Sequence, residues 1–390
     1  MKPFPFTMKS AKHSRRTSAR AIFRPDAAHE VTDIEFDADG TMLRGWLDRP
    51  RGGAASAPAV VMAHGYNCIK ELYLDRYAAA IADAGHVVLA YDHRNFGDSD
   101  GEPRQELDPW AQVPDYRNGL TFVQTLNGVD PERVGIWGTS YAGGHVLVVA
   151  AIDRRVRCVV AQVPTISDWE STLGRIAPQA LPGQRDSWDS DRLARYKGHP
   201  PKMVPMVVDP ATGGAASHAS ADAWDFFTGK NAPDEDKWRF KKWRNEITLR
   251  SLELYSEYEP GAFIERIAPT PLLMVIGDAD VVCPTDLALA AFNRAGEPKR
   301  LELYAGGHFS AYTDQFERAA TAATDWFTQH LRPYSGIPIG APQGIVTFGI
   351  ARSCASPGSE SGYRRVFACR VWTSASARVG IRIQRLLSAT

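Results

Sequence analysis

Residues 134–152 restrict the fold of this chain more than any other stretch. A short apolar run, Val134-Gly135-Ile136-Trp137, stops at Gly138-Thr139-Ser140, and a second apolar run, 145–152, begins almost at once. The first reads as a buried strand and the second as a buried helix. The connection between them is tight and carries one hydroxyl at its apex. A serine in such a turn stands clear of the sheet, and small neighbours let the backbone pass, which suits it to nucleophilic attack. The plainer alternative is a Gly-Ser turn joining a strand to a helix, as any α/β protein can have.

The rest of the chain decides what surrounds that turn. Residues 31–36 and 42–47 alternate apolar and polar side chains around Asp39-Gly40, a hairpin signal that predicts antiparallel edge strands. Buried strands are expected over 87–91 and 271–276, further strands over 158–163 and 300–304, and helices over 72–84, 115–126 and 285–295, with a long amphipathic segment over 311–331. Alternating strand and helix signals predict a mostly parallel, doubly wound α/β sheet. From about 165 to 262 the alternation is lost, and five of the ten tryptophans fall there.

A serine hydroxyl needs a base to remove its proton and an acid to orient that base. In a doubly wound sheet both belong on loops at the carboxyl ends of later strands. The strand expected at 271–276 ends in Gly277-Asp278-Ala279-Asp280, and the next ends in Ala305-Gly306-Gly307-His308. Asp280 is therefore the expected acid and His308 the expected base. Asp278 competes with Asp280 but lies nearer the strand end, where it can hold the loop through backbone hydrogen bonds. Acyl transfer also needs donors for the developing oxyanion. The N–H of Tyr141, next after the serine, is one; Tyr66 in His64-Gly65-Tyr66-Asn67 is the other, through its N–H or its phenol.

These residues resemble the α/β-hydrolase superfamily over about residues 30–332. His64-Gly65-Tyr66-Asn67 with Lys70-Glu71, Gly138-Thr139-Ser140-Tyr141 with Gly143-Gly144, and Gly306-Gly307-His308-Phe309 look more particularly like a group akin to dienelactone hydrolases and acetyl xylan esterases, which includes fungal polyketide transferases. One departure is Ala142 where the superfamily's elbow has glycine; alanine is small enough to keep the turn. The resemblance implies an α/β-hydrolase fold with an inserted helical cap over 165–262, dividing the core into 29–164 and 263–332, and structural roles for Asp92 and Arg94. It implies a serine hydrolase acting on an ester, thioester or lactone through Ser140, His308 and Asp280, without metal or organic cofactor. A polyketide-transferase-like acyltransferase using the same three residues is the nearest rival, and a catalytically silent ligand-binding relative a more distant one. An aromatic cap suggests a bulky apolar acyl part, touched by one or two of Trp169, Trp188, Trp224 and Phe227, although most of the tryptophans should simply pack the cap on its base.

The expected partner is thus a small-molecule acyl substrate. Equal numbers of basic and acidic residues, 45 of each, give no general attraction to nucleic acid or anionic membrane. No apolar run approaches the ~20 residues that span a bilayer. Five scattered cysteines suggest neither a zinc site nor a disulfide framework, so a reducing, cytoplasmic setting fits. Residues 1–28 are basic and free of acids before Asp26, which fits a solvated tail or a mitochondrial-type presequence. Residues 333–390 are expected to be a poorly ordered tail, although 366–372 has strand-like composition. Oligomeric state is not legible.

Overall fold

The structure, a computed structural model, describes residues 28–52 and 56–333. Apart from Ala28 and Pro333, both expected tails lie outside the described residues, as does the strand-like stretch at 366–372. The hairpin forms where Asp39-Gly40 called for it: β1 (His29–Ala38) and β2 (Thr41–Pro50) pair antiparallel, with Ala38 opposite Thr41. Next come β3 (Ala57–Ala63), α1 (Leu74–Asp83), β4 (Val87–Tyr91), α2 (Pro109–Gln124), β5 (Val129–Thr139), α3 (Tyr141–Ile152) and β6 (Val156–Gln162). An insertion follows, with α4 (Asp168–Arg175), α5 (Leu181–Tyr196), β7 (Met203–Val204), α6 (Ala221–Thr228), β8 (Ile247–Thr248) and α7 (Leu249–Ser256). The fold resumes with β9 (Leu272–Gly277), α8 (Thr285–Arg294), β10 (Lys299–Tyr304) and α9 (Phe316–His330).

The strands form one eight-stranded sheet in the order β1-β2-β4-β3-β5-β6-β9-β10, and every neighbouring pair from β4 to β10 runs parallel. Chain order runs one way from β3 to β4 and the other way from β5 onward. A crevice therefore opens between β3 and β5 at their carboxyl ends, the position where such sheets bind ligands. The central strands are covered on both faces: Val60, Val61, Leu89, Ile136, Val160 and Met274 are fully buried. Such strands read as apolar runs rather than as alternation.

Two helices differ from expectation. α2 starts at Pro109, ahead of the expected 115, because Asp108 caps it by accepting from the N–H groups of Trp110 and Ala111. Proline at the first helical position fits that start, whereas Pro114 inside the helix had hidden it. The 311–331 segment breaks into a 3₁₀ turn, His308–Tyr312, and then α9.

The insertion is tied to the loops after β3 and β4. Lys242 Nζ reaches Glu71 at 3.1 Å and Asp98 at 3.0 Å, Arg239 pairs with Asp75, and the Trp243 indole donates to the Asn67 carbonyl at 2.9 Å. Apart from the 16-residue α5, the helices and paired strands here are short, so this region lacked a clear sequence signature.

Candidate active site

Ser140 occupies the bend between β5 and α3 with φ 57°, a left-handed value uncommon for a residue with a side chain. Its N–H donates to Gln162 O at 2.8 Å, and its carbonyl accepts from Thr165 N–H at 3.0 Å, so β6 and the following segment hold the bend. Two glycines make room. A Cβ at Gly138 would lie 2.1 Å from Ala142 O, and one at Gly65 would lie 2.8 Å from Ser140 Cβ. The loop after β3 therefore passes directly against the serine, as the pairing of Ala63 with Gly138 requires.

Beneath the crevice, the Tyr116 hydroxyl accepts from Ala63 N–H and donates to Trp137 O, each at 3.0 Å, joining β3 to β5. Asp92 and Arg94 support the neighbouring loop. Asp92 accepts from Lys70 N–H at 2.7 Å and from Lys70 Nζ at 2.6 Å, while Arg94 Nε donates to Asp115 at 2.7 Å.

His308 Nε2 lies 3.0 Å from Ser140 Oγ, and His308 Nδ1 lies 2.7 Å from Asp280 Oδ2. The other Asp280 oxygen accepts from Val282 N–H and Cys283 N–H, both at 2.8 Å, which fixes the carboxylate. Asp278 instead accepts from Gly306 N–H at 2.9 Å, binding the loop after β9 to the loop after β10. That contact separates the two aspartates: one faces the imidazole and the other holds the backbone. Burial pushes the imidazole of His308 down, but the Asp280 carboxylate, with the Cys283 sulfur beside it, outweighs this and raises it to about 10. Burial also pushes the Cys283 thiol up.

As the first residue of α3, Tyr141 has an N–H that no carbonyl within the helix can accept. Tyr66 packs edge-on against Tyr141, with ring centroids 5.5 Å apart, and its hydroxyl accepts from Ser217 Oγ at 3.3 Å. A narrow cavity of about 10 Å³ lies against Ser140, Tyr141 and Tyr66. Thr165, Arg175, His218 and Tyr255 complete it from the inserted side, and Val282 and Cys283 from the loop after β9. Burial, followed by the nearby Arg175 and His308 charges, drives the His218 imidazole well below its usual value.

None of the four aromatic residues expected to touch substrate lines this cavity. Trp169 is half-buried beside Arg185, and Trp188 is buried on α5. Trp224 packs against the core, and Phe227 stacks on Trp243 at 5.2 Å. Trp224 and Phe227 thus join the hydrophobic core. The cavity instead meets phenols, an imidazole and a guanidinium. Cys283 was within reach of sequence reasoning, being three positions after Asp280. Arg175 and His218 were not, because no strand end or motif marks them. Among the described residues, no cluster of three or more His, Cys, Asp or Glu side chains could hold a metal ion, and no helix is long and apolar enough to cross a membrane.

Comparison with known proteins agrees with this architecture. Residues 58–314 match the α/β-hydrolase fold family, and the chain belongs to that family. It is 34% identical to the thiohydrolase aneE of Aspergillus aculeatus over 280 residues, covering 70% of this chain and 84% of that protein. It is 31% identical to the quorum-quenching protein AidA of Acinetobacter baumannii, covering 75% and 93%. Among solved structures, the α/β-hydrolase GrgF from Penicillium, whose sequence is named a polyketide transferase, superposes with a TM-score of 0.67 at 27% identity, covering 77% of this chain and 99% of that one.

Proposed function

We propose that this protein is a serine hydrolase that cleaves a carboxylic ester, thioester or lactone through an acyl-enzyme on Ser140. The observation that carries the reading is the unbroken hydrogen-bonded line from Asp280 through His308 to Ser140. In this scheme the neutral His308 Nε2 takes the hydroxyl proton as Ser140 Oγ attacks the carbonyl carbon. The carbonyl π electrons move onto oxygen, which Tyr141 N–H and the Tyr66 phenol receive. Ser217 donates to the Tyr66 oxygen, which leaves the phenol's own proton free for that task. Collapse of the intermediate breaks the bond to the leaving alcohol or thiol, and His308 returns the proton to it. Water then adds to the acyl-enzyme by the same route and releases the acid. The 165–262 segment acts as the cap over this chemistry; Ser140 is only 8% exposed.

Thioesters come first among the candidate substrates because the relative at 34% identity is named a thiohydrolase. Transferase-named relatives support a second reading, in which an alcohol or amine replaces water. A panel of short acyl thioesters and esters, assayed with and without an added alcohol acceptor, tests both. Turnover that disappears in Ser140→Ala supports the hydrolase; acyl product diverted to the acceptor favours the transferase; wild-type turnover in the variant rejects both.

A further inference from the structure

Arg175 closes α4 and brings its guanidinium to the cavity that Ser140 lines. The residue is exposed overall, and its guanidinium donates to Val282 O at 3.0 Å and lies 5.3 Å from the centre of the Tyr255 ring. A guanidinium offers five N–H donors in a planar fork suited to carboxylate or phosphate. Other arginines have carboxylates: Arg94 pairs with Asp115, Arg239 with Asp75, Arg250 with Glu106. Among the described residues, no carboxylate forms an ion pair with Arg175. The acid closest to serving as one, Asp168, is fully buried and hydrogen-bonded to Thr165. Burial drives its carboxyl well up, and no ion-pair contact joins it to the arginine. The remaining lining side chains offer no anion either.

We propose that Arg175 is a specificity residue that selects acyl substrates bearing an anionic oxygen group, carboxylate or phosphate, close to the scissile carbonyl. The inference rests on the hydrolase reading and names the substrate class of that site. Both oxygen anions fit the guanidinium fork, and they differ in which half of the substrate carries them. A carboxylate would sit on the acyl part, and a phosphate on the leaving thiol.

The test compares kcat/KM in two matched pairs: a p-nitrophenyl half-ester of a dicarboxylic acid against a neutral p-nitrophenyl ester of equal length, and a butyryl thioester of a phosphorylated thiol against that of a neutral thiol. Arg175→Gln should lower the anionic-to-neutral ratio by about tenfold or more in one pair, mainly through KM. Arg175→Lys, which keeps the charge, should keep part of the ratio, and added salt should weaken it. Movement in the first pair assigns the carboxylate, and in the second the phosphate. Ratios that stay within about twofold in both pairs would overturn the proposal. So would equal losses on charged and neutral partners, which would put Arg175 at the reacting oxygen or in the packing. If wild-type protein turned over none of the four, the hydrolase reading would fall and this inference with it.

Discussion

His308 Nε2 and Ser140 Oγ lie 3.0 Å apart although 168 positions separate them in the chain. The sheet order brings this about. β5, β6, β9 and β10 run parallel and adjacent, so the loops that follow them emerge at one edge. Ser140 follows β5, Asp280 follows β9 and His308 follows β10. Ser140 is held by backbone partners at the end of β6 and just beyond it, and Asp280 by N–H groups of its own loop.

Under the proposed mechanism, the raised His308 value sets the pH dependence. Only the neutral imidazole can accept the serine proton, and Asp280 stabilises the charged form. Activity should therefore rise with pH along a limb above the ordinary histidine range. Asp280→Asn removes the stabilising charge, which should move that limb to lower pH and lower kcat by about 10³–10⁴. A pH–rate profile of wild type and variant checks both effects.

The Tyr66 phenol and its N–H make different predictions as oxyanion donors. Tyr66→Phe keeps the ring and backbone but removes the hydroxyl. It should lower kcat by about 10²–10³ with little change in KM. Unchanged kcat would assign the task to the backbone N–H.

Much of this arrangement was legible in the sequence, and the reasons are local. Val134-Gly135-Ile136-Trp137 before Gly138-Thr139-Ser140 could be placed because strand, turn and helix each leave a signature within a few residues. Asp280 and His308 could be placed because each closely follows a strand. The choice between Asp278 and Asp280 had the same basis, since the aspartate nearer the strand end reaches backbone. The cavity wall was not legible. Arg175, His218 and Tyr255 converge on Ser140 only through tertiary packing of an irregular insertion, and nothing in their neighbourhoods predicts it. The tryptophans there were conspicuous by size, and large rings serve packing at least as readily as binding.

Tyr116 offers a stability test separate from catalysis. Tyr116→Phe would leave the buried Ala63 N–H and Trp137 carbonyl without the hydroxyl that joins them. A loss of about 1–3 kcal/mol in urea unfolding is expected.

A second stability effect comes from buried neutral imidazoles. Burial, then the nearby His64, lowers His145 to about 3, and burial likewise lowers His64 and His93. The unfolded chain takes up these protons near the ordinary histidine value, about 6.5, and the folded chain does not. Stability should be fully present above that pH and decline as pH falls toward 3 for His145. Thermal melts across that window should show a falling midpoint, with a shallower slope in His145→Gln.

The most direct test of the proposed chemistry is covalent labelling with a fluorophosphonate, followed by peptide mass spectrometry. The expected result is a single adduct on Ser140 in the wild type and none in Ser140→Ala. Labelling of that variant at the wild-type rate, or an adduct on another residue, would contradict the assignment of Ser140 as nucleophile.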